Sequence, residues 1–219
     1  MNVMKKGSIF SAVFAILATQ VSAQGGRTML YPDYVSGTVY LKGKREVKAP
    51  LNYDATNQCA MYKQDGKEMI LTNPLNVDSM KIGNNLFVQI EGKLLEIVSY
   101  PKGKLLIDWS LRNVNIGYKG AYGTVTQSRT QNANLALMEG MEDVVNAPEG
   151  RQEVYRMRNN NKYIILKDGK TLHFNNKKSL LKRLGGKSNN AESIMQRLHT
   201  DFNKTEDVMK LAEELLPVL

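Results

Sequence analysis

The sequence predicts an α+β fold that is mostly β: an antiparallel β meander forming a small barrel or sandwich, followed by a β-hairpin with two or three C-terminal helices. Three observations predict it. Apolar and polar residues alternate with period two through much of residues 34 to about 115, as in strands with unlike faces. Turn signals interrupt that alternation every ~8–12 residues, the spacing of a meander of roughly seven or eight strands. After residue 175 the apolar period changes to that of amphipathic helices.

The strands come first. Val35, Gly37, Val39 and Leu41 alternate with Ser36, Thr38, Tyr40 and Lys42. Leu86, Val88 and Ile90 alternate with Asn85, Phe87 and Gln89, and Leu105, Ile107, Trp109 and Leu111 with Lys104, Leu106, Asp108 and Ser110. Between the strands stand Lys42-Gly43-Lys44, Asp65-Gly66-Lys67, Gly83-Asn84-Asn85, Glu91-Gly92-Lys93 and Pro101-Lys102-Gly103. Glycine and asparagine tolerate the positive φ that tight hairpins need. Trp109, the only tryptophan, lies on an apolar stripe and is expected to be buried. The pattern then breaks over 117–150, which reads as a linker or long surface loop. Strands resume at Val154–Arg158 and Tyr163–Lys167 around Asn159-Asn160-Asn161. Asp168-Gly169 then leads into Lys170–Phe174.

The helices close the chain. Asn175 or Asn176 is expected to cap a helix over Lys177–Leu184, which Gly185-Gly186 stops. Asn189 or Asn190 is expected to cap the next, with Ala191, Ile194, Met195, Leu198 and Phe202 on one face. Thr205 is expected to cap a third, with Val208, Leu211, Ala212 and Leu215 as its stripe and Pro217 at its end. Each stripe must bury against something, most simply the preceding hairpin. Four segments result: a signal peptide over 1–23, an antiparallel β domain over 34–116, the 117–150 segment, and the hairpin plus helices over 151–219.

The N-terminus bears on location. Lys5 and Lys6 precede an uncharged, mostly apolar stretch from Ile9 to Val21, and Val21-Ser22-Ala23 supplies small residues before a cut between Ala23 and Gln24. This is the layout of a cleaved leader, too short for a membrane span of ~20 residues. An exported chain, periplasmic or at the cell surface, is expected. The net charge is +9, from 30 basic and 21 acidic residues. A basic balance favours anionic partners. Export and the absence of a nucleic-acid-binding signature exclude nucleic acid, leaving an anionic envelope glycan, a membrane surface or another envelope protein.

Little in the chain points to catalysis. Cys59 is the only cysteine, so no internal disulfide forms, and no catalytic motif surrounds it. The two histidines, His173 and His199, have no metal-ligand spacing. No catalytic, cofactor or metal residues are assigned. Two basic clusters are candidates for contact with an anionic surface: Lys42, Lys44, Arg45 and Lys48 on the first hairpin, and Lys177, Lys178 and Lys182 on the first helix. Lysines at those places also guard sheet edges and solvate helix faces. Asp78-Ser79-Met80 resembles a short O-glycosylation motif of exported Bacteroidota proteins, which makes Ser79 a candidate modification site.

Several phrases carry a wider resemblance: Gly37-Thr38-Val39-Tyr40-Leu41-Lys42, Val47-Lys48-Ala49-Pro50-Leu51-Asn52-Tyr53, Val77-Asp78-Ser79-Met80-Lys81-Ile82-Gly83, and the Lys-Lys-x-Leu-Leu segment from Lys177 to Leu181. In these the mature chain resembles a group of exported Bacteroidota proteins, periplasmic or surface-bound, that have no assigned activity. The resemblance implies an envelope location and carries no catalytic residues. The expected function is a non-catalytic structural or binding module of the envelope. The competing expectation is an envelope hydrolase acting on glycans, whose carboxylates meet only in the fold, roughly 5–10 Å apart.

Overall fold

The computed structural model describes residues 27–119, 125–126 and 153–219. The leader, its cut at Ala23–Gln24 and most of the 117–150 segment lie outside the described residues. What is described falls into two units. The larger ends at Leu111 and resumes at Asn159; the smaller runs from Arg112 to Arg158.

The larger unit is built on one antiparallel sheet of ten strands: β1 (Val35–Leu41), β2 (Arg45–Asp54), β3 (Cys59–Gln64), β4 (Lys67–Ile70), β5 (Val77–Ile82), β6 (Asn85–Ile90), β7 (Lys93–Tyr100), β8 (Gly103–Asp108), β12 (Lys162–Lys167) and β13 (Lys170–Phe174). The spatial order is β13-β12-β8-β7-β6-β5-β1-β2-β3-β4, so the sheet is open, with β13 and β4 at its edges. The smaller unit holds a three-stranded sheet in which β9 (Leu111–Lys119) lies between β10 (Val125–Thr126) and β11 (Glu153–Asn159).

Turn chemistry fixes much of the register. Asp65-Gly66, Glu91-Gly92 and Asp168-Gly169 each have positive φ at both residues, the two-residue turn that matches strand twist. At Gly37 on β1 a Cβ would stand 2.4 Å from the Lys81 carbonyl oxygen of β5, so only glycine lets these strands pair. Ahead of β1, Met29 bridges to Asp54. The Asn52 side chain holds the segment there: it accepts from the Tyr31 N–H at 3.2 Å and donates to the carbonyls of Tyr31 and Asp33.

Two apolar cores fill the larger unit. The first gathers Val39, Leu51, Tyr53, Tyr62, Val77, Met80, Ile82, Phe87 and Leu94 from β1, β2, β3, β5, β6 and β7. Tyr53 stacks on Phe87 at 5.4 Å between ring centroids, and its hydroxyl donates to the Leu94 carbonyl. Strands far apart in the sheet thus meet because the sheet curls. The second core lies between Leu105, Ile107, Tyr163, Ile165 and Phe174 of the sheet and three helices: α1 (Lys177–Leu184), α2 (Ser188–Leu198) and α3 (Thr205–Leu215). Its helical side is Leu180 and Leu184 of α1 together with the predicted stripes: Ala191, Met195, Val208, Leu211, Ala212 and Leu215 are buried, and Ile194, Leu198 and Phe202 pack against the core partly buried.

The structure departs from the sequence pattern at four points. Val154–Arg158 and Tyr163–Lys167 do not form a hairpin across Asn159–Asn161: the first belongs to β11 in the smaller sheet, the second to β12, which pairs with β8. The reason is polar. Asn161 is buried, its Oδ1 accepts from the Ser110 N–H at 2.7 Å, and its amide donates to Thr205 Oγ1 at 3.0 Å, so the triplet is a clamp instead of a turn. Trp109 lies in the connection after β8 and is half-buried, not in a strand. Asn176 caps α1 as expected, but Asn189 and Asn190 lie inside α2, which starts from Lys187 with no side-chain cap. Thr205 is the first residue of α3 and faces Asn161 instead of capping the helix.

Candidate functional site

The β1–β2 hairpin carries the candidate basic site. Its turn, Lys42–Lys44, bends with Gly43 and Lys44 both at positive φ. Register places Tyr40 opposite Glu46 on β2 and opposite Ser79 on β5. The result is an open concavity of about 650 Å³ lined by Lys42, Lys44 and Arg45, together with Tyr40, Glu46, Asp78 and Ser79. Lys42, Lys44 and Arg45 are exposed, and none makes an ion pair among the described residues. Sequence-distant Ser79, half-buried, is brought to the same hollow.

The remaining candidates go elsewhere. Lys48 is exposed on β2 opposite Thr38 and does not line the hollow. Lys177 lies 3.7 Å from Glu192 of α2, which satisfies its charge locally, while Lys178 and Lys182 face solvent on α1. His173 and His199 are exposed, the latter as the left-handed C-cap of α2. Burial pushes the Cys59 thiol up to about 11, with nearby Asp54 adding to it, so the sulfur stays protonated and is a poor nucleophile at neutral pH.

Pattern reading did not single out the polar cluster between the two cores. Glu96 of β7 is 4 % exposed, and Asp108 at the end of β8 is 7 % exposed. Glu96 Oε1 accepts from Asn85 at 2.7 Å, and its Oε2 from the Trp109 indole at 2.6 Å. Asp108 Oδ1 accepts from Gln58 at 2.7 Å, and its Oδ2 meets Lys93 Nζ at 2.9 Å. Gln58 also donates to the Trp109 carbonyl, so Trp109 and Gln58 together link the two carboxylates. Burial pushes the Glu96 carboxyl above its ordinary range, against the lowering effect of the Trp109 and Asn85 hydrogen bonds. The signal was faint but present: Glu96 shares the inward parity of Leu94 and Val98, where a charge is unexpected.

The arrangement limits the chemistry. Each of the four carboxylate oxygens already accepts a hydrogen bond from a side chain of the fold, and neither residue lines the hollow at the β1–β2 turn. No group of three or more His, Cys, Asp or Glu side chains able to hold a metal occurs among the described residues, and no helix there is long and apolar enough to cross a membrane. The chain matches no family model, no curated protein and no solved structure.

Proposed function

We propose that the protein is a non-catalytic envelope module that binds anionic surfaces through the β1–β2 turn. The observation that carries this reading is the hollow itself: Lys42, Lys44 and Arg45 converge there, exposed and without ion pairs among the described residues. Three cations against the two acids of the hollow, Glu46 and Asp78, leave it net positive, which attracts polyanions, more strongly at low salt. The leader-like N-terminus and the resemblance to exported Bacteroidota proteins support an envelope setting. Glycan hydrolysis is the weaker reading, because the buried carboxylates of Asp54, Glu96 and Asp108 all accept hydrogen bonds from the fold.

Co-sedimentation of the purified protein with isolated envelope tests this. Lys42→Glu, Lys44→Glu and Arg45→Glu together are expected to cut the bound fraction by about tenfold at low salt. The thermal midpoint should hold, since all three side chains are exposed. Unchanged sedimentation of the triple variant would overturn the reading.

A further inference from the structure

A second basic recess lies at the helix-covered side of the sheet, and nothing in the sequence pattern marks it. Because β8 pairs with β12, the β7–β8 turn at Pro101-Lys102 and the β12–β13 turn at Asp168-Gly169 come side by side. Their backbones meet closely: a Cβ on Gly103 would stand 2.5 Å from the Leu166 carbonyl oxygen. Between them opens a recess of about 780 Å³ lined by Lys102, Lys104, Lys167 and Lys170, with Asp168 as its one acid.

The charge there is not neutralised. Lys167 and Lys170 are direct cross-strand partners, a like-charge pairing that costs stability unless something relieves it. Lys167 is relieved: its ammonium donates to the Leu216 carbonyl, at the end of α3, at 2.7 Å. Lys102, Lys104 and Lys170 are exposed and make no ion pair among the described residues. Lys167 and Lys170 share one face of the sheet and Lys104, opposite Leu166, the other, so the lysines come to the rim of the recess from both faces, and an anion seated there screens them.

We infer that this recess is a binding site for a sulfated or phosphorylated glycan chain. The shape favours a chain over a bilayer, because the lysines ring a hollow between two turns instead of a convex face. The lysines supply point charges without the fixed fork of arginine, which suits oxyanions spaced along a flexible polymer. The site is separate from the β1–β2 hollow and stands whether or not that one binds.

Calorimetric titration with sucrose octasulfate, a compact sulfated sugar, tests it on the whole chain. With Lys42, Lys44 and Arg45 reversed to glutamate to silence the first hollow, one site is expected to remain. Adding Lys102→Glu, Lys104→Glu and Lys170→Glu should weaken that site by about tenfold or more, whereas a charge-matched control at Lys178, Lys182 and Lys210 should cost less than about threefold. Equal losses in the two variants would overturn the recess as the site. So would binding to phosphatidylglycerol vesicles with none to the sulfated sugar. Failure of the β1–β2 reading shows differently, as an unchanged number of sites when Lys42, Lys44 and Arg45 alone are reversed.

Discussion

The ten-stranded sheet covers its inner face by two different means. From β1 to β7 it curls on itself, so that Tyr53 of β2 stacks on Phe87 of β6 and reaches the Leu94 carbonyl of β7. Among the described residues no helix contributes to that core. From β8 to β13 the sheet no longer covers itself, and three helices lie on Leu105, Ile107, Tyr163, Ile165 and Phe174. An antiparallel sheet with one apolar face must bury it, and curling does so only where enough strands run in sequence. The last two strands arrive late in the chain and need a separate cover. Trp109 packs against both cores, and its indole N–H is fixed by Glu96.

Removing the cover is the strongest test of that contrast. A chain ending at Phe174 is expected to lose amide protection in β8, β12 and β13 while β1, β2 and β5 keep theirs. The hairpin stays paired to β8, but without the helices the apolar face of β8, β12 and β13 is open to water, and the helices, two to three turns each, are marginal undocked. Hydrogen exchange by mass spectrometry reads this directly. Loss of protection throughout the sheet would show that the two cores form one cooperative unit.

Single truncations sharpen the same question. Phe87→Ala in the first core is expected to cost ~3–5 kcal/mol, and Leu211→Ala in the second ~2–5 kcal/mol. Because Phe87 and Leu211 lie in separate cores, the double variant should add to within ~0.5 kcal/mol. Trp109→Ala should be non-additive with both, since Trp109 touches each core. Urea midpoints of the singles and doubles decide it; additivity for Trp109 would break its role as the joint.

The smallest effect concerns pH. The Glu96 carboxyl is raised from its ordinary 4.5 by burial, more than its two hydrogen bonds lower it. The folded chain therefore holds this proton more tightly than the unfolded chain. The stability it contributes is complete below 4.5 and is lost as pH rises through the folded value, at no more than ~1.4 kcal/mol per pH unit. Glu96→Gln should flatten that decline. Trp109→Phe removes one lowering hydrogen bond, so it should carry the decline to higher pH. Denaturant midpoints between pH 4 and 8 check both; parallel curves for wild type and Glu96→Gln would show that hydrogen bonding offsets burial fully.

Legibility followed locality. The turns at Asp65-Gly66, Glu91-Gly92 and Asp168-Gly169 could be read because positive φ at both positions is a property of two adjacent residues. The stripe Val208, Leu211, Ala212 and Leu215 could be read because helical period is local too. Asn159–Asn161 misled for the same reason: locally it reads as a turn, but the fold uses Asn161 to tie Ser110 to Thr205. In the β1–β2 hollow, the basic residues were legible as a cluster in sequence, and their meeting with Ser79 was not, because it depends on β5 pairing with β1 across a long connection.

By itself the sequence determined the class of fold, the hairpin turns, the faces of the helices and the basic character of the first hairpin. Each of these is set by neighbours within about one turn or one strand. The tertiary structure alone decided that the late hairpin joins the early sheet through β12 and β8, that Glu96 and Asp108 are buried and already partnered, and that four lysines from two turns ring one recess. Those outcomes depend on pairing between strands far apart in the chain, and such pairing is selected by the burial of whole faces, which no short stretch of residues encodes.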